Sequence, residues 1–156
     1  MRAVTSLYER EDDKAPRVLL DLSSDSLPPQ GVIVRGLDGA IAQVFRNVVD
    51  NAVSFSPPSG EVRVALRIAG GQAIVTVDDQ GPGVPEDDLE AIFRRFYTER
   101  PAKHGFGKNS GLGLSISRQI VETHRGQIFA ANLRADPSGP ISGARFTVVL
   151  PLRAAT

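Results

Sequence analysis

The sequence predicts an α+β fold, a two-layer α/β sandwich with three helices on one face of a mixed sheet. Three observations carry that expectation. Glu61–Ile68 alternates, with Val62, Val64, Leu66 and Ile68 facing one way and Arg63, Ala65 and Arg67 the other. Gly70-Gly71 then signals a hairpin into a return strand, Ala73–Asp78. Finally, strands and helices do not alternate regularly, which excludes a doubly wound nucleotide fold.

The elements follow in order. Residues 1–16 are polar and charged and read as a linker, or as the remnant of a preceding helical domain; residues 17–156 form the folded domain. A strand is expected at Arg17–Leu22, a turn-rich stretch at Ser23–Gln30, and a second strand at Val32–Arg35. Ile41, Val44, Phe45, Val48, Val49 and Ala52 then line one helical face, with Asp38 as N-cap and Pro57-Pro58 as terminator. After the hairpin come the glycine-rich turn Asp79–Gly83 and a short helix near Pro85–Phe93. Tyr97–Ser110 has no periodicity and reads as a mobile loop. A helix at Gly111–Thr123 and strands at Gln127–Asn132 and Ala144–Leu150 close the chain.

Composition narrows the function. A chain of 156 residues with 41% hydrophobic and 23% charged residues buries roughly two-thirds of its unfolded surface as one domain. Lys+Arg (18) balances Asp+Glu (18), which argues against neutralising phosphates along a duplex, so no nucleic-acid partner is expected. The absence of cysteine removes disulfides, thiolate metal sites and a Cys nucleophile. No apolar run approaches the roughly 20 residues that span a bilayer, and no signal peptide opens the chain. The expectation is a cytoplasmic domain without membrane contact.

Three constellations carry chemistry. Asn47 and Asn51 are one helical turn apart and share a face. They read either as surface amides bonded to neighbours or as oxygen donors to a hard cation such as Mg²⁺ that also takes phosphate oxygens. Asp78-Asp79-Gln80-Gly81-Pro82-Gly83 reads either as a plain turn or as a carboxylate that accepts from a purine amine while the backbone approaches closely. Gly105–Leu114 leads from a loop into a helix, as a linker or as an anion-binding backbone; it is neither a P-loop nor a dinucleotide fingerprint. The two histidines, His104 and His124, have no Ser or Asp partner at recognisable spacing, and His124 reads as a helix cap.

The ordered set Asn47-x-x-x-Asn51, Asp79-x-Gly81-x-Gly83, Ile92-Phe93-x-x-Phe96 and Gly111-Leu112-Gly113-Leu114 resembles the catalytic, ATP-binding domain of bacterial sensor histidine kinases. That domain shares the Bergerat-type ATP-binding fold with DNA gyrase, the large heat-shock chaperone ATPase and mismatch-repair ATPases. The likeness covers about Arg17–Leu152, and Phe96–Ile120 also resembles the envelope acid-sensing kinases of alphaproteobacteria. The resemblance implies ATP and Mg²⁺ as cofactors. Asn47 and Asn51 match the catalytic, metal-holding asparagines, and Asp79 the carboxylate on the adenine amine, with Gly81 and Gly83 admitting the base. Phe55 matches the aromatic residue on the adenine ring, while Phe93 and Phe96 match the box anchoring the loop over ATP. Gly111, Leu112 and Gly113 match the phosphate-contacting glycine box, with Tyr97–Ser110 as a mobile ATP lid and Arg94, Arg95, Arg100, Lys103 and Lys108 as its nearby positive charges.

The departures matter as much. The family's Lys or Arg before the box aromatic is Ser54 here, after Val53, and the glycine box begins with Asn109 rather than Gly. The water-attacking relatives carry a Glu where this chain has Asn47, so phosphoryl transfer is expected rather than an ATPase cycle. No H-E-x-x-[TNR] helix occurs, since His104 precedes Gly105 and His124 precedes Arg125. The acceptor histidine is therefore expected on a separate dimerisation domain, with a response regulator reached indirectly and the isolated chain monomeric. The parent would be an inner-membrane sensor kinase. The alternative is a degenerate nucleotide-binding or partner-docking module without kinase activity.

Overall fold

A computed structural model describes residues 16–22, 27–28, 32–95 and 113–153. Five strands form one sheet: β1 (Arg17–Asp21), β2 (Glu61–Ala69), β3 (Gln72–Asp78), β4 (Gln127–Arg134) and β5 (Ile141–Pro151). Their spatial order is β1-β2-β3-β5-β4. β1 runs parallel to β2, and every other pair is antiparallel. Two α-helices, α1 (Asp38–Phe55) and α2 (Gly113–Thr123), cover one face. The sheet is mixed because α1 carries the chain from β1 back to the parallel start of β2.

The core is the meeting of two periodicities. Val44, Val48, Val49 and Ala52 recur at helical spacing on α1, and Val62, Val64, Val75 and Val77 recur at strand spacing on β2 and β3. Phe146, Val148 and Leu150 of β5, Ile128 of β4 and Val121 of α2 complete one cluster. Among the described residues no helix covers the opposite sheet face, and Arg63, Arg67 and Phe129 are exposed on it. There the Arg145 guanidinium donates to both oxygens of Asp78, at 2.7 and 2.8 Å, across a register pair of β3 and β5. That hydrogen bond raises the already high pKa of Arg145.

The expected hairpin forms at Gly70-Gly71, where both residues take positive φ, 58° and 73°. Three expectations are corrected. The third helix, near Pro85–Phe93, is two 3₁₀ turns, Glu86–Asp88 and Ala91–Phe93. So short a segment, opened by three adjacent carboxylates, buries only Ile92 and Phe93 and does not repay helix nucleation. The strand at Val32–Arg35 shrinks to one bridge, Val34 to Leu152, with the Arg153 N–H donating to the Ile33 carbonyl. Asp38 is the first helical residue rather than the cap. The residue before it, Leu37, gives its N–H to His124 Nε2 (3.1 Å). The same imidazole meets the Ile120 carbonyl through Nδ1 at 2.7 Å, so His124 caps the end of α2 and ties it to the start of α1. Residues 1–15 lie outside the described residues.

Candidate functional site

The Asp78-Asp79 pair splits by strand alternation. Asp78 faces the open side and is held by Arg145, whereas Asp79 turns inward and is 2% exposed. Asp79 Oδ1 accepts from the Gly81 N–H (2.9 Å) and the Ala144 N–H (3.0 Å). The Asp79 N–H donates in turn to the Ala144 carbonyl (2.9 Å). Two backbone donors therefore fix one carboxylate oxygen in place.

The turn after Asp79 is stitched to the end of α1. The Gln80 N–H donates to Ser56 Oγ (3.1 Å), and Gln80 Oε1 accepts from the Glu61 N–H (2.8 Å). Gly81 lies against Phe55: a Cβ there would stand 2.6 Å from the Phe55 carbonyl oxygen. Gly83 has φ 78°, and a Cβ would meet Ile141 Cγ2 at 2.5 Å and Asn132 Oδ1 at 2.7 Å. Asn132 holds the far end of the turn as a strand would, accepting from the Val84 N–H (2.8 Å) and donating to the Val84 carbonyl (2.6 Å). The glycines at 81 and 83 are thus required by the protein's own packing. Phe55, the last residue of α1, is 6% exposed beside them.

The two asparagines differ. Asn47 Nδ2 donates to the Gly113 carbonyl and to Ser117 Oγ, each at 3.2 Å, across to the first turn of α2. Asn51 is 7% exposed and its Nδ2 is buried without a hydrogen-bond partner. An unsatisfied buried amide in a native fold calls for a ligand or ordered water. Ser54 bends its hydroxyl back to the Asn51 carbonyl (2.9 Å), as a neutral residue at the end of α1. Among the described residues no group of three His, Cys, Asp or Glu side chains is placed to hold a metal. Any cation here would take neutral amide oxygens and complete its shell with phosphate and water, which fits Mg²⁺ with a nucleotide.

Phe93, expected among the nucleotide-binding residues as part of the lid-anchoring box, packs in the core. It is 3% exposed, meets Phe146 edge-on at 6.2 Å between centroids, and lies under the Arg118 guanidinium at 4.4 Å. Arg118 also pairs with Glu90 at 2.6 Å. That hydrogen bond, chiefly, holds the Glu90 carboxyl below the usual carboxylate range. Phe96, Lys108, Gly111 and Leu112, with the expected lid Tyr97–Ser110, lie outside the described residues.

Residues 36–154 match the family described as histidine kinase-, DNA gyrase B-, and HSP90-like ATPase. The chain belongs to that ATPase family. It is 44% identical over 154 residues to the sensor protein ChvG of Agrobacterium fabrum, covering 97% of this chain and 26% of that protein. The ChvG protein of Rhizobium meliloti is 47% identical over 137 residues, covering 86% and 24%. This ATPase-family chain thus spans about a quarter of the length of those curated relatives. Among solved structures, the mycobacterial sensor histidine kinase MprB superposes with a TM-score of 0.74 at 32% identity, covering 99% of this chain and 92% of that one. Full-length ShkA in complex with AMPPNP superposes with a TM-score of 0.76 at 27% identity, covering 99% and 30%. No helix among the described residues of this ATPase domain is long and apolar enough to cross a membrane.

Sequence reasoning missed Ser56, Gln80, Ser117, Asn132 and Gly143. Each acts through a partner distant along the chain, and no local spacing marks it. Gly143 is the clearest, because a Cβ there would run into the Asp79 carbonyl oxygen.

Proposed function

We propose that this domain binds ATP with Mg²⁺ and serves as the catalytic unit of a sensor histidine kinase, donating the γ-phosphoryl group to a histidine on a separate dimerisation domain. Residues 17–156 are the ATP-binding catalytic domain, and 1–16 are a linker or the remnant of a preceding helical domain. Asp79 accepts from the adenine amine, and Phe55 packs on the ring. Asn47 and Asn51 hold the cation, and the backbone at Gly113, with Gly111 and Leu112, lies along the phosphates. Lys108 supplies the charge that Ser54 does not, and Phe96 together with Phe93 anchors the lid.

The observation that supports this most is the stitching of the Asp79 turn to the end of the asparagine helix. Ser56 and Phe55 of that segment hold Gln80 and Gly81, so the nucleobase carboxylate and the cation amides belong to one rigid unit. Phosphoryl transfer asks mainly for positioning and charge neutralisation, which such a unit provides. When bound, Mg²⁺ supplies positive charge to the phosphate oxygens. The chain's own part is to seat the base, orient two amides and leave the terminal phosphate accessible to an acceptor on another domain. Asn47, in place of a Glu, offers no general base to water, which favours transfer over hydrolysis. The parent is an inner-membrane sensor with this domain on the cytoplasmic side, a response regulator downstream and no dimer contact within this piece.

Calorimetric titration of ATP, with and without Mg²⁺, tests the reading. Asp79→Asn keeps an oxygen for the Gly81 and Ala144 donors but loses the charge. It should weaken ATP binding by about 1.5–3 kcal/mol, tenfold or more. Asn51→Ala should remove most of the Mg²⁺ dependence. Wild-type protein that binds no ATP at accessible concentrations would sink the kinase reading and leave a partner-docking module.

A further inference from the structure

We propose that Ser117 is a positioning residue of the cation site, setting the amide of Asn47 so that its oxygen is the atom offered to the metal. This rests on the reading of Asn47 as a cation ligand.

The geometry is a closed triangle. Ser117 is wholly buried, and its hydroxyl donates to the Gly113 carbonyl at 2.8 Å. With its single proton committed there, Ser117 Oγ faces Asn47 only as an acceptor. The Gly113 carbonyl is also an acceptor. Asn47 Nδ2 meets both at 3.2 Å. Turning the amide over would set Asn47 Oδ1 against two acceptors, so the NH₂ end is locked towards α2. The oxygen is left as the free ligand atom. Asn51 has no such lock, since its Nδ2 is buried without a partner. One asparagine of the pair is therefore oriented in advance by protein, and the other is oriented by what binds. Ligand-orienting partners of this kind affect metal affinity by about 10- to 100-fold in known sites.

The test uses the 156-residue chain and two titrations of ATP, one in EDTA and one in excess Mg²⁺. The ratio of the two Kd values measures what the cation contributes. Ser117→Ala should lower that ratio by about tenfold while leaving the EDTA Kd within about twofold. Asn47→Ala should abolish the cation contribution, and adding Ser117→Ala to it should change nothing further, because Ser117 acts through Asn47. Thermal melts of each variant check that the fold is retained. A ratio unchanged by Ser117→Ala, with wild-type Mg²⁺ dependence present, overturns the inference and leaves the functional reading standing. An equal weakening in EDTA and in Mg²⁺, or an additive effect in the Asn47→Ala background, overturns it as well by making Ser117 merely structural. A wild-type ratio of one overturns the cation reading of Asn47, and this inference falls with it.

Discussion

At Gly81 a Cβ would stand 2.6 Å from the Phe55 carbonyl oxygen, whereas at Gly113 the nearest atom would be Asn47 Cγ at 3.7 Å. The two glycines bound opposite ends of the proposed site, and the difference runs through everything around them. The Asp79 side is built by protein alone. Its carboxylate oxygen takes two backbone donors, its turn is tied at Ser56 and Asn132, and its glycines are forced by neighbouring backbone and side chains. On the asparagine side, among the described residues, Asn51 has a buried amide nitrogen with no partner and Gly113 has room to spare. Among the described residues, the Asp79 end is preformed, while the asparagine end keeps a polar group without a partner and space beside Gly113; the proposed function makes these the base and phosphate ends. Under the proposed function, such a division would fix the base rigidly and let cation and phosphates complete the rest.

The hardest way to break the comparison is at Gly143. A side chain there runs into the Asp79 carbonyl, so β5 and the Asp79 turn cannot both keep their places. Gly143→Ala should destabilise the fold by about 3 kcal/mol or more, a large part of a typical domain's stability. Urea unfolding measures it directly. A variant within 1 kcal/mol of wild type would show that the Asp79 side yields easily and is not preformed.

A paired substitution sharpens the contrast. Gly81→Ala should cost about 1–3 kcal/mol, because the obstacle is backbone and cannot rotate away. Gly113→Ala should hold stability or raise it by up to about 1 kcal/mol, since Ala favours a helix over Gly and the new methyl makes only ordinary contact with Asn47. If Gly113→Ala nevertheless weakens ATP binding, the glycine is there for the ligand. Equal destabilisation by the two changes would erase the distinction between the two ends.

What the sequence made legible follows the same division. Local spacing exposed the asparagine pair, the Asp-x-Gly-x-Gly turn, the amphipathic stripe of α1 and the β2–β3 hairpin, because each is written within a few residues. It misled where a residue's role is set across the fold. Local spacing does not record that the Phe93 ring packs against Phe146 and under Arg118. Asp38 looked like a cap, but it is the first helical residue, and the cap position before it is Leu37, which has no capping side chain and gives its N–H to His124, 87 residues away. Ser117 carried no signal at all, since a serine inside a helix is ordinary until its partner on the other helix is known. The parallel pairing of β1 with β2 was equally hidden, because no strand records which neighbour the crossover brings it to.

The smallest effect concerns α2, whose neighbouring residues serve two regions. Ser117 faces Asn47, and the next residue, Arg118, lies over Phe93 and pairs with Glu90. The Glu90 carboxyl is held below its ordinary range, mainly by its hydrogen bond from Arg118. A carboxylate depressed in the folded state contributes stability in full above its unfolded value, about 4.3, and loses it as pH falls through the folded value. The Glu90 side chain is 72% exposed, so solvent screening keeps the contribution below about 1 kcal/mol. Denaturation of wild type and Glu90→Gln between pH 7 and pH 3 should give curves that are separate at neutral pH and converge in acid. Nucleotide affinity at neutral pH should change little, because without the Glu90 charge Phe93 still keeps its contact with Phe146 and Arg118 still lies over its ring. A Glu90→Gln protein that lost ATP binding while keeping its stability would make the Arg118–Glu90 pair a third working part of the site, and the two-ended division would no longer describe it.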